Sequence, residues 1–96
     1  MAVVRWTDAA LRDLDDILAY IEQHNPIAAI DLVEAIIASG NSLKIFPARH
    51  PVRHIPGIRE RPVLGTRYIL LYRIERADLV LVLAVRHGAR ARRSPQ

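Results

Sequence analysis

Residues 67–85 read RYILLYRIERADLVLVLAV, two apolar runs either side of Arg76, Ala77 and Asp78. In the first, Ile69, Leu70, Leu71 and Tyr72 are consecutive; in the second, 79–85, every residue is apolar. Such strands are apolar on both faces, as in a sheet interior covered by helices. The polar triplet between them turns the chain, so 67–75 and 79–85 form an antiparallel pair. Upstream, Gly65 and Thr66 supply another turn, and 58–64 precedes it as a third strand. A three-stranded meander results. Before it, Pro47, Pro51, Pro56 and Gly57 make 47–57 an irregular connection with no room for a helix.

Towards the N-terminus the apolar period changes from 2 to 3.6. Leu14, Ile17, Leu18 and Ile21 follow Ala10 at helical spacing, while Asp13, Asp15, Asp16 and Glu22 face elsewhere, which predicts a helix over about 8–23. Thr7 can cap it, and Asp8 favours its positive end. His24, Asn25 and Pro26 stop the chain and restart it, since Asn25 can cap and proline suits a first helical position. A second helix to about residue 46 carries Ala29, Ile30, Val33, Ile36, Ile37 and Leu43 as its apolar set. Gly40 within it marks a bend or a tight packing contact. The two helices form an antiparallel hairpin. Residues 2–6 can add an edge strand, with Trp6 as a core or staple residue rather than a stacking platform. The fold class is α+β, in the order β-α-α-β-β-β, as one domain over 1–96 with 91–96 frayed.

The 96 residues contain no cysteine, which excludes a disulfide framework, thiolate catalysis and Cys-ligated metal, and fits a reducing cytosol. No run approaches the ~18–20 apolar residues needed to span a bilayer, so the chain reads as soluble, without a membrane partner. The net charge of +4 conceals a division. Residues 1–47 hold three basic residues against seven acidic ones, whereas 48–96 hold eleven arginines against Glu60, Glu75 and Asp78. The second half therefore invites an acidic partner.

WTDAALRDLDDILAYIEQHNPIAA, LKIFP, GIRERPV, YILLYRI and VRHGAR, in this order, resemble the ParE/RelE superfamily of bacterial type II toxins over about residues 3–90. The resemblance implies a compact antiparallel sheet backed by a helix hairpin, and a cognate antitoxin that wraps the toxin. ParE-like members poison DNA gyrase without enzymatic chemistry; RelE-like members cut messenger RNA on the ribosome, many with a tyrosine near the C-terminus. Here the tyrosines are Tyr20, Tyr68 and Tyr72, and Lys44 is the only lysine. These departures favour the ParE branch: a cytoplasmic gyrase inhibitor neutralised in a hetero-oligomer by a ParD-like antitoxin, meeting operator DNA only through that antitoxin. The alternatives are a RelE-like endoribonuclease using Arg59, Arg61, His87 and Arg90, or a non-toxic antitoxin-binding module.

His87 and Arg90 match the ParE-like H-x-x-R at the end of the last strand. His87 either caps the sheet edge and meets a partner or titrates in catalysis. Arg59 and Arg61 share a strand face. They form either a basic concavity for nucleic acid or antitoxin carboxylates, or structural ion pairs with residues such as Glu60 and Glu75. Arg73, on an apolar strand, should be tied to a carboxylate. Leu18, Leu32 and Ile36 broaden the apolar stripe of the hairpin into a groove for an amphipathic antitoxin helix with acidic flanks. His50 and His54 have metal-pair spacing, but Pro51 and Pro56 forbid the helix it needs. No cofactor is expected.

Overall fold

The computed structural model describes residues 2–52 and 55–89. The elements are β1 (Val3–Trp6), α1 (Asp8–Glu22), α2 (Pro26–Asn41), β2 (Arg59–Pro62), β3 (Tyr68–Arg76) and β4 (Leu79–His87), with single 3-10 turns at Ser42–Lys44 and Pro47–Arg49. They form a four-stranded mixed sheet in the order β1-β4-β3-β2. The meander is antiparallel. β1 joins its edge beside β4 and runs parallel to it, from Val3 opposite Leu79 to Trp6 opposite Val82. A parallel pair needs a crossover longer than a hairpin turn, and the helix pair spans part of it.

Local chemistry sets the helix starts. The Thr7 side chain accepts from the Ala10 amide at 3.1 Å, and Asn25 Oδ1 accepts from the Ala28 amide at 3.0 Å. Pro26 opens α2. α2 ends five residues before the expected boundary, and Ser42–Lys44 continues it as a 3-10 turn. Gly40 is a packing contact: a Cβ there would run into the Trp6 ring, whose Nε1 donates to Asn41 Oδ1 at 3.3 Å. The 47–57 connection contains the 3-10 turn Pro47–Arg49, which a leading proline favours.

The core joins Ala10 and Leu14 of α1 and Ile36 of α2 to Leu70, Tyr72, Val80 and Val82 of the central strands, with Trp6 and Val4 partly buried beside them. Both helices thus pack on one face. On the reverse face Ile69 and Ala84 are buried, while Leu71, Leu81 and Leu83 are half-buried. As expected of a sheet backed by a helix hairpin, one face is packed by α1 and α2, and no helix among the described elements covers the other. A hairpin of two adjacent helices fills a single face.

Candidate functional site

Two clusters hold several of the residues singled out by sequence, Arg59, Arg61 and His50 in one and Leu32 and His87 in the other. The first lies where β2 meets the 47–50 segment. Arg59 stands opposite Tyr72 and Arg61 opposite Leu70, so both arginines share the helix-side face. Arg59 Nη1 donates to the carbonyls of Ala48 at 3.2 Å and His50 at 2.7 Å. Arg61 Nε donates to Ser39 at the end of α2, 2.9 Å to Oγ and 3.2 Å to the carbonyl. Its Nη1 lies 2.8 Å from His50 Nε2. A guanidinium only donates, so His50 accepts through Nε2 and carries its proton on Nδ1. Burial first, then the charges of Arg61 and Arg49, push the His50 pKa below the usual histidine value. The Tyr72 hydroxyl donates to the Pro47 carbonyl. Burial raises its pKa against the opposing pull of Arg59 and Arg61.

The two arginines therefore latch an irregular segment to the sheet edge. Arg59 does so through Nη1 to main-chain carbonyls, and Arg61 through Nε and Nη1 to Ser39 and His50. Arg73 does find its carboxylate, Glu75 Oε2 at 3.1 Å, but from the adjacent position on its own strand face.

The second cluster is a groove of about 940 Å³ between the helices and the far end of β3 and β4. Ile17, Tyr20 and Ile21 of α1 and Leu32 of α2 form one wall; Arg67, Tyr68, Arg86 and His87 form the other. The His87 and Tyr68 rings meet edge to face with centroids 5.6 Å apart. β1 stops at Trp6, so no strand among the described residues pairs with the outer edge of β4 beyond Val82, and Thr7 and α1 supply side chains instead. Thr7 Oγ1 donates to the Leu83 carbonyl at 3.2 Å. Asp13 Oδ2 accepts from the Val85 amide at 2.9 Å and from Arg86 Nη1 at 2.7 Å.

Of the expected partner-binding residues, Leu32 and His87 come together in this groove. Leu18 is half-buried outside its lining. Ile36 is corrected: it is 0% exposed and belongs to the core, so it presents nothing to a partner. Its helix position places it beside Ala29 and Gly40 on the inward face. Arg90 and His54 lie outside the described residues, as does the 91–96 tail. No group of three or more His, Asp or Glu that could hold a metal occurs among the described residues. Sequence reasoning overlooked Asp13 as an edge cap and His50 as a hydrogen-bond acceptor. It also missed the pairing of Tyr68 with His87, which counting back from the turn at Ala77 and Asp78 gives.

A helix hairpin on one face of this mixed sheet, with a groove at the sheet end, is a fold shared with a solved structure. A chromosomal ParDE toxin–antitoxin system from P. aeruginosa superposes with a TM-score of 0.77 at 22% identity, covering 91% of this chain and 96% of that one. The family model for the ParE toxin of the type II toxin–antitoxin system parDE matches residues 4–92, and the chain belongs to this family. It is 40% identical over 85 residues to Y4kP of Sinorhizobium fredii, a protein with a provisional toxin designation, covering 88% of this chain and 86% of that one. It is also 36% identical over 91 residues to toxin RelE2 of Caulobacter vibrioides, covering 94% and 99%. The chain is a toxin of the ParE family, the toxin family of the type II toxin–antitoxin system parDE.

Proposed function

We propose that this toxin inhibits DNA gyrase by binding, without catalysing a reaction, in the cytoplasm, and that a ParD-like antitoxin neutralises it. The ParE-family match over residues 4–92 supports the gyrase target. The observation that carries the non-enzymatic reading is the latch. A nuclease would need convergent cations around the scissile phosphate and a group to move the proton. Here Arg59 and Arg61 direct their donors into the 47–50 segment and Ser39. His87 pairs with Tyr68, two strands across and two residues along from Arg61, about 12 Å at the α-carbons from strand spacing and rise.

The groove supports the antitoxin reading. One wall is apolar at Ile17, Ile21 and Leu32; the other carries Arg67 and Arg86, and of the groove's two aspartates Asp13 is paired with Arg86, leaving Arg67 opposite Asp16 in charge. An apolar antitoxin segment bearing carboxylates matches that combination. Inducing the protein alone in bacteria tests the proposal: filaments with DNA-damage induction support it. Immediate arrest of translation with cleaved messages sinks it in favour of the nuclease, and unimpaired growth sinks both.

A further inference from the structure

α2 is apolar almost all round. Its inward positions Ala29, Ile36 and Gly40 are buried, whereas Ile27 is 74% exposed, Ile30 55% and Ile37 39%. Those three, with Glu34, fall at steps of three, four and three residues and so form one ridge along the outward face. Pro26–Lys44 has the length and apolar composition of a membrane-crossing helix, yet only 22% of that window is buried. A helix apolar on every side is normally covered on every side. α1 and the sheet cover one side of this one, and on the outward ridge Ile27, Ile30 and Ile37 are left exposed with Glu34 among them.

The charges beside the ridge choose among occupants. α2 carries Asp31 and Glu34 and no basic residue. Both are exposed, as are Asp15, Asp16 and Glu22 on the companion helix, against a single exposed arginine there, Arg12. A bilayer is disfavoured because Glu34 sits within the ridge, where burial in hydrocarbon is costly. A two-fold pairing of α2 with α2 of a second copy is disfavoured as well. Glu34 stands between Ile30 and Ile37, near the middle of the ridge, so an antiparallel pair would bring the two glutamates together.

We infer that the outward face of α2 is a docking surface for an amphipathic helix of a partner protein whose apolar seam is flanked by lysine or arginine. This surface has the opposite sign to the arginine-rich half of the chain. It goes beyond the gyrase reading and holds whether or not gyrase is the target.

The test uses the full chain and two fluorescein-labelled 18-residue helical peptides with the same leucine seam, one flanked by lysines and one by glutamates. By fluorescence anisotropy the lysine peptide binds about tenfold more tightly at low salt, and the preference shrinks as salt rises. Ile30→Asp with Ile37→Asp abolishes binding; both side chains are exposed, so circular dichroism should show the fold intact. Asp31→Lys with Glu34→Lys transfers the preference to the glutamate peptide. Equal binding of the two peptides, or a preference unmoved by the charge swap, overturns the inference. So does a concentration-dependent dimer lost in Ile30→Asp, which assigns the face to a second copy. Co-sedimentation with phosphatidylglycerol vesicles lost in the same variant assigns it to a membrane and also overturns the inference.

Discussion

Replacing Arg61 by methionine keeps the stem of the side chain and removes its charge. Three hydrogen bonds go with it, two to Ser39 and one to His50 Nε2. Hydrogen bonds to a charged group contribute about 1.5–3 kcal/mol each when buried. This site is only part-buried, and solvent screening reduces each contribution. A total of about 2 kcal/mol is the reasonable expectation for the set. For a domain of this size that corresponds to a fall in Tm of roughly 10 °C. Thermal unfolding followed by circular dichroism reads the stability. NMR titration of the His50 ring reads the second effect: without the Arg61 charge the His50 pKa rises towards its usual value, although burial and Arg49 still hold it down. A free surface arginine would change stability by about 0.5 kcal/mol or less. A change that small, with an unmoved His50 titration, would refute the latch and return Arg61 to the pool of functional cations.

Gly40→Ala should destabilise the protein by about 1–2 kcal/mol, because the overpacking cost against Trp6 exceeds the gain of about 1 kcal/mol in helix propensity. With Trp6→Leu as the background the same change should become neutral or stabilising in denaturant unfolding. Stability should also fall on acidification. The His50 pKa is depressed in the folded state, so the unfolded chain binds the extra proton below about pH 6.5. The contribution is complete above that pH and is lost as pH falls towards the folded value; His50→Phe should flatten this part of the urea-midpoint profile. Asp13→Asn removes the charge from the Val85 and Arg86 contacts and should cost about 1 kcal/mol. Leu32→Asp, in the groove wall, should weaken antitoxin association at least tenfold by calorimetry.

The sheet interior was legible because 67–75 and 79–85 are apolar on both faces, and the helix hairpin because Thr7, Asn25 and Pro26 mark its starts. The rotation of α2 was not. Ile30, Ile36 and Ile37 are interchangeable in a pattern that is apolar nearly all round, so nothing in the spacing says that Ile36 faces inward and the other two outward. The arginine targets were hidden for a different reason. Arg59 bonds main-chain carbonyls at Ala48 and His50, and any residue type offers a carbonyl. Arg73 was legible because a charge on an apolar strand needs a partner, and Glu75 stands two residues along on the same face. The place of His87 opposite Tyr68 follows from the turn at Ala77 and Asp78, because the two irregularities in the β3–β4 ladder offset one another.

The most direct test of the account adds the purified toxin to purified DNA gyrase, relaxed plasmid and ATP, with and without its antitoxin. Loss of supercoiling with accumulation of gyrase-linked cleaved DNA, both reversed by the antitoxin, is the expected result. Undiminished supercoiling at toxin concentrations that cut messages on purified ribosomes would contradict it.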